Sequence, residues 1–217
     1  MKDILEKTKQ TQEIIKEALF RAKVPFVGFT GGKDSLVTLH LLKEVSKGPL
    51  SVLFIDTSAH FSEIYHFIEK MQKLWRFNLV IEKNEEALGL IKVAKDKAEC
   101  CYQLKTQVLR NSIKKYEIDY LFTGLRREEE GKNCPGDYLS LSGEYVRVNP
   151  VEYFSDKDIW DYIKEYNLPY CSLYDKGYRN IDCIQCTLPP RGQVNERMDE
   201  EKDKREVAEK LRSLGYF

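Results

Sequence analysis

The sequence predicts an α/β fold: a doubly wound, mainly parallel sheet with an irregular, cysteine-bearing C-terminal region. Three observations carry this. Short apolar runs at residues 24–29, 50–55, 78–81 and 120–122 alternate with stretches of helical periodicity, the order of a parallel sheet with crossover helices. Three of these runs end in polar or glycine-bearing turns, at residues 30–35, 56–57 and 123–127, where such a sheet binds its ligands. Helix and strand signals continue through the 217 residues without a Pro/Gly/Ser linker, so a single domain over residues 1–217 is expected.

Taken in order, residues 1–22 form an amphipathic helix. Ile4, Leu5, Ile14, Ile15, Ala18 and Leu19 recur at helical spacing, and Val24-Pro25 stops the helix. Residues 24–29 read as the first strand, followed by Gly31-Gly32 and a mostly buried helix over 35–42. Gly48-Pro49 breaks the chain before a second strand at 50–55, a helix at 62–74 and a strand at 78–81. A helix over 102–116 leads to the strand at 120–122 and the turn Thr123-Gly124-Leu125-Arg126-Arg127. Ser155-Asp156-Lys157-Asp158 caps an amphipathic helix carrying Ile159, Trp160, Tyr162 and Ile163, which ends near Asn167-Leu168-Pro169. Residues 195–217 mix charges with Val207, Ala208 and Leu211, the pattern of a surface helix.

The 35 basic and 35 acidic residues cancel, which excludes a general attraction to nucleic acid or membrane but leaves room for a local basic patch. The start, Met1-Lys2-Asp3-Ile4-Leu5-Glu6-Lys7, is too charged for a secretory leader, and no apolar run approaches the roughly 18 residues of a membrane span. A cytoplasmic protein with no membrane association is expected. In a reducing compartment the six cysteines, with the tight spacing Cys183-Ile184-Gln185-Cys186, favour metal or redox chemistry over disulfides.

The loop Thr30-Gly31-Gly32-Lys33-Asp34-Ser35 joins the first strand to the next helix. Its glycines permit positive φ and close backbone approach to a phosphate, Lys33 supplies a point charge, and Asp34 suits Mg²⁺. It does not fit the Walker A spacing. Cys100-Cys101 and Cys183/Cys186 together offer four thiolates, a donor set suited to zinc or to an iron-sulfur cluster. Adjacent cysteines are unusual in a zinc knuckle, which favours iron. Lys105, one turn beyond Cys101, offsets charge there, reaches a bound phosphate, or is a solvated helix lysine. Cys134 lies in a polar loop and Cys171 near the second pair, each an incidental thiol or a reactive one. His40 falls on an apolar helix face and should be packed, whereas His60 follows a strand end, where it either lines the nucleotide pocket or packs. Of Arg126, Arg127, Arg179 and Arg191, the first two occupy a strand-end position suited to anions.

Phe29-Thr30-Gly31-Gly32-Lys33-Asp34-Ser35 resembles the S-G-G-K-D-S loop of the PP-loop ATP pyrophosphatases, with Thr30 for the usual serine. Further on, Phe54-Ile55-Asp56-Thr57-Ser58-Ala59-His60-Phe61 is similar to the F-I-D-T-G-Y-H-F stretch of the phosphoadenylyl-sulfate (PAPS) reductase family, and residues 123–127 to its T-G-x-R-R turn. Cys100-Cys101 with Lys105, and Gly177-Tyr178 with Cys183-Ile184-Gln185-Cys186-Thr187, resemble the cluster motifs of adenylyl-sulfate reductases. The resemblance covers about residues 24–190. It implies an adenine nucleotide alpha-hydrolase-like fold and a 4Fe-4S cluster on Cys100, Cys101, Cys183 and Cys186. Two departures stand out. Lys33 and Asp34 are intact, whereas sulfonucleotide reductases typically lose this lysine. No cysteine follows Cys186, whereas those reductases carry a nucleophilic cysteine in a C-terminal E-C-G-L-H stretch.

These features lead to the expectation of a PP-loop ATP pyrophosphatase that binds ATP-Mg²⁺ and adenylates an acceptor for sulfur incorporation. Lys33 and the backbone of Gly31 and Gly32 would hold the pyrophosphate, Asp34 the metal ion, Asp56 and Thr57 the nucleoside, and Arg126 a phosphate; Thr30, Ser35 and Gly124 complete the nucleotide-binding set, and Lys33, Asp34, Lys105 and Arg126 are the expected catalytic residues. By analogy with DNA phosphorothioation and tRNA thiolation systems, a cysteine desulfurase donor and a nucleic-acid acceptor are expected partners. The rival is a sulfonucleotide reductase acting on adenylyl sulfate or PAPS with thioredoxin, whose reactive thiol would be Cys134 or Cys171. A third alternative is a non-catalytic nucleotide-sensing subunit.

Overall fold

Period-two alternation in the strands separates their side chains onto two faces, each buried under its own helices. In the computed structural model, which describes residues 2–130 and 138–187, the strands are β1 (Pro25–Gly28), β2 (Ser51–Ile55), β3 (Asn78–Glu82), β4 (Tyr120–Phe122), β5 (Leu139–Ser142) and β6 (Tyr145–Val148). Their order is β3-β2-β1-β4-β6-β5, parallel throughout except β5. The register sets Val27 beside Val52 and Phe122, and Phe122 beside Val148. These four face one core with helices α1 (Lys2–Arg21), α2 (Lys33–Val45), α3 (Ser62–Trp75) and α8 (Asp156–Glu165). Phe26, Leu53 and Leu121 face a second core closed by α6 (Gln107–Tyr116) through Ile113. Full burial of each large apolar side chain contributes about 1.5–3 kcal/mol, so the alternation fixes which face each strand presents.

Helices begin and end for local reasons. Ser155 and Asp158 form the expected capping box at α8, each side chain bonding the other residue's backbone N–H. Arg76 and Glu117, in the left-handed region, terminate α3 and α6. The stretch read as one helix over 102–116 is a composite: α5 (Lys97–Cys101), a π-helical turn over Tyr102–Thr106, then α6. Such turns recur at functional sites, and this one lies between Cys101 and α6 and contains Lys105.

Three elements carry no clear sequence signal: α4 (Glu85–Leu90), α7 (Arg127–Glu130) and the β5–β6 hairpin. β5 is a short edge strand, with Leu141 80% exposed, so burial does not impose the apolar-in, polar-out alternation on it. Cys134, Arg191 and the helix expected over 195–217 lie outside the described residues.

Candidate nucleotide and cysteine site

β1 pairs with β2 on one side and β4 on the other, so the connections leaving these strands diverge and open a crevice beyond their carboxyl ends. The loop from Thr30 to Ser35 is the floor. Gly31 has φ +79°, and a Cβ there would press within 3.2 Å of Ile64. Thr30 Oγ1 accepts the Gly32 N–H at 3.3 Å, the Ser35 hydroxyl donates to the Gly32 carbonyl at 3.0 Å, and the Thr30 N–H donates to Ser35 Oγ at 3.3 Å. Thr30 and Ser35 therefore brace the loop from within.

Gly124, at the end of β4, closes the floor from the other side. A Cβ there would lie 2.6 Å from the Ser35 nitrogen and 2.7 Å from the Asp34 carbonyl carbon, backbone atoms that move only if α2 moves. Gly124→Ala is expected to destabilise the fold by about 1–3 kcal/mol, as overpacked sites do, and to weaken adenine nucleotide binding. Denaturant unfolding and calorimetric titration with AMP check both effects.

Three of the expected site residues meet in one ion-paired group. Lys33, 1% exposed, places Nζ 3.1 Å from Asp34 Oδ2 and 3.2 Å from Asp156 Oδ1. Arg126, also buried, donates from Nε to Asp34 Oδ1 at 2.6 Å and from a terminal nitrogen to Glu128 at 2.8 Å. Both Asp34 oxygens thus face cations of the protein. The Lys33 N–H, at the start of α2, donates to the Tyr174 hydroxyl at 2.8 Å. The sequence pattern marks Asp156 only as a helix-start residue and does not mark Tyr174, since long-range packing creates both contacts.

At the end of β2, Asp56 accepts hydrogen bonds at 2.7 Å from both the Ser58 N–H and the Tyr65 hydroxyl. Thr57 is buried, its Oγ1 3.1 Å from Cys183 Sγ. The Ile184 N–H donates to the Ala59 carbonyl at 2.8 Å, docking the second cysteine pair against the β2–α3 connection. His60 packs on Phe54 at 5.2 Å and donates to the Ile55 carbonyl at 3.3 Å, and burial lowers its pKa. His40 is buried and bonded to the Tyr162 hydroxyl at 2.9 Å, as its apolar helix face predicts.

The two cysteine pairs converge. Cys100 and Cys101 end α5, and Cys183 precedes a short 3-10 turn whose last residue is Cys186. Burial pushes the Cys101 thiol up to about 11, opposed by Lys105 and reinforced by Asp182, Cys100 and Cys186. Burial likewise raises Cys183 and Cys186, the latter also influenced by Cys100. Lys105 bonds Asp182 at 2.5 Å. Burial alone would lower its pKa, but Asp182, Cys183 and Cys101 together raise it, which keeps it charged. Asp182 also accepts the Cys183 N–H at 2.8 Å.

Among the described residues, no three His, Cys, Asp or Glu side chains are grouped as ligands of a single metal ion. The two segments offer four thiols, with Cys186 electrostatically coupled to Cys100 and Cys101, and thiols are the donor type a 4Fe-4S cluster takes, one at each iron. Cys171 is elsewhere: 1% exposed, it belongs to the core with α2 and α8, and burial raises its pKa. It is a packing residue.

A parallel sheet with a glycine floor at its switch point and soft donors on its rim defines an adenine-nucleotide-type α/β protein. The chain belongs to the phosphoadenosine phosphosulfate reductase domain family, whose model matches residues 24–189. It is 31% identical over 166 residues to an adenosine 5'-phosphosulfate reductase of Shouchella clausii, covering 72% of this chain and 68% of that protein. Its fold matches the phosphoadenylyl-sulfate reductase of Candida auris, solved as a phosphate complex, with a TM-score of 0.72 and 20% identity over 87% of this chain and 97% of that one. A U34-tRNA thiolase from Methanococcus maripaludis, solved with its 4Fe-4S cluster, matches with a TM-score of 0.56 and 15% identity over 94% and 72% of the two chains. No described helix is long and apolar enough to cross a membrane.

Proposed function

We propose that the protein is a sulfonucleotide reductase of the adenylyl-sulfate type. The observation that carries this reading is the contact of Cys183 with Thr57 at the end of β2, which supports a cysteine centre beside the nucleotide. The relatives named adenosine 5'-phosphosulfate reductase support it. In this reading the nucleotide phosphate lies over the loop at the Gly31 backbone, the loop being braced from within by Thr30 and Ser35 and backed by Gly124, and Asp56 and Thr57 position the nucleoside. Lys105, kept charged by Asp182, faces the sulfate end. A 4Fe-4S cluster on Cys100, Cys101, Cys183 and Cys186 would tie α5 to the C-terminal segment and supply a fixed inorganic centre beside that sulfate.

Reduction needs a thiolate to attack the sulfate sulfur and displace AMP, leaving the sulfur as an S-sulfonate on the attacking cysteine. A dithiol donor such as thioredoxin then releases sulfite and becomes a disulfide, which accounts for the two electrons. With four cysteines at the centre and Cys171 in the core, Cys134 is the cysteine of this sequence assigned to attack. Anaerobic protein given adenylyl sulfate and reduced thioredoxin should form sulfite and AMP, and Cys134→Ser should form neither.

A second reading has its own observation. The intact pair Lys33 and Asp34 in the loop favours ATP-Mg²⁺ and adenylation of an acceptor, with sulfur supplied by a partner such as a cysteine desulfurase. Release of pyrophosphate from ATP with no sulfite from adenylyl sulfate would replace the first reading with this one. Nucleotide binding with neither product would favour the non-catalytic subunit.

A further inference from the structure

We propose that Tyr174 is a specificity residue of the nucleotide loop, its hydroxyl standing where an outer phosphate of a nucleoside triphosphate would meet the Lys33 N–H. This rests on the sulfonucleotide reading and refines it: the loop keeps a lysine associated with triphosphates, but its anion-binding groups are already engaged. A helix N-terminus attracts phosphate through unsatisfied N–H donors and the positive end of its dipole. Here the Lys33 N–H is capped by Tyr174 at 2.8 Å, the Gly32 N–H by Thr30 at 3.3 Å, and Gly124 backs onto the Ser35 nitrogen. The ammonium of Lys33 is also engaged: Asp34 and Asp156 neutralise it, the Arg179 carbonyl lies 3.5 Å away, and the Tyr174 ring sits 5.9 Å beneath it.

Tyr174 is held in place. Trp160 meets its ring edge-on at 5.2 Å, Tyr170 lies 6.4 Å away, and the Tyr174 N–H donates to the Cys171 carbonyl at 3.1 Å. Burial and the nearby Asp34 raise the pKa of its phenol, so the group is a neutral hydroxyl and accepts the Lys33 bond without bringing a charge of its own. A nucleotide with no β- or γ-phosphate leaves these contacts intact, whereas ATP must break them. Tyr174 lies nine residues before Cys183 on the same segment, so the element that fills the phosphate position also carries half of the cysteine centre.

Calorimetric titration with AMP and with ATP plus Mg²⁺ tests this. The wild-type protein should bind ATP no more tightly than AMP. Tyr174→Phe keeps the ring and frees the Lys33 N–H, and should tighten ATP binding about tenfold, the worth of one charge-assisted hydrogen bond, with AMP unchanged. Asp156→Asn, at an exposed helix start, should shift the ratio the same way by uncovering the Lys33 charge, and it decides the matter if circular dichroism shows Tyr174→Phe to be unfolded. Wild-type preference for ATP of tenfold or more, or an unchanged ratio in the folded variants, overturns the role of Tyr174. The two readings separate: sulfite formation with an unchanged ratio rejects Tyr174 and keeps the reductase, whereas a shifted ratio without sulfite rejects the reductase and keeps Tyr174.

Discussion

Cys183→Ser is expected to leave anaerobically purified protein colourless, taking its iron from about four atoms per chain to near zero. Serine is a hard, poorly acidic ligand, and this position touches Thr57 while sharing a charge environment with Cys186 and Lys105. The proposed cluster would draw its ligands from residues 100–101 and 183–186, so its loss would also release a crosslink between distant segments. Metal-binding free energy is folding free energy when the site does not exist in the unfolded chain. A loss of about 3 kcal/mol would lower the melting temperature by roughly 6–12 °C in a chain of this size. Cys171→Ser is the control: it alters a core thiol remote from the centre and should cost stability while iron and colour remain. A native protein with one zinc and neither iron nor labile sulfide, or an iron-replete Cys183→Ser variant, would overturn the cluster assignment.

Arg126→Ala should be nearly as damaging, through electrostatics alone. Breaking a buried ion pair by removing one partner costs about 3–5 kcal/mol, because the remaining charge keeps its desolvation penalty. The lower end applies here, since Asp34 retains Lys33 at 3.1 Å after losing Arg126. Lys33 then stands between two carboxylates with no second cation beside them among the described residues, so the phosphate loop becomes more negative and adenine nucleotide affinity should fall as well. Arg126→Lys preserves charge but cannot reach Asp34 and Glu128 in the same fork, and should recover only part of both losses. Thermal unfolding and AMP titration on the three proteins read the two effects separately. Equal stability of Arg126→Ala and wild type would remove the ion pair from any structural role.

How much of this was legible depended on whether a residue's role is set by its neighbours in sequence. The strands at 25–28, 51–55, 78–82 and 120–122 follow from short apolar runs between breakers, because a strand buried on both faces has a local signature. The capping box at Ser155 and Asp158 was readable for the same reason, both partners lying within one turn. β5 and α4 were not, since neither buries enough apolar surface to impose a pattern, and β6 buries only its two ends, Tyr145 and Val148. Lys33 shows the limit at the site. Its place in the loop marks it as a phosphate ligand, but whether its charge faces solvent, a ligand or the protein depends on Asp156 and Tyr174, more than 120 residues away.

The residue order alone settled the sheet's class, the crevice at the ends of β1, β2 and β4, and the donor types on offer there, because periodicity, glycine and thiol chemistry are properties of short segments. Folding in three dimensions settled what those donors meet. It brought Cys183 against Thr57, buried Cys171 in the core, set Lys105 on Asp182 and seated Tyr174 on the phosphate loop. Each of these contacts joins residues far apart in sequence, and its energy comes from desolvation and packing between elements, which no local pattern encodes.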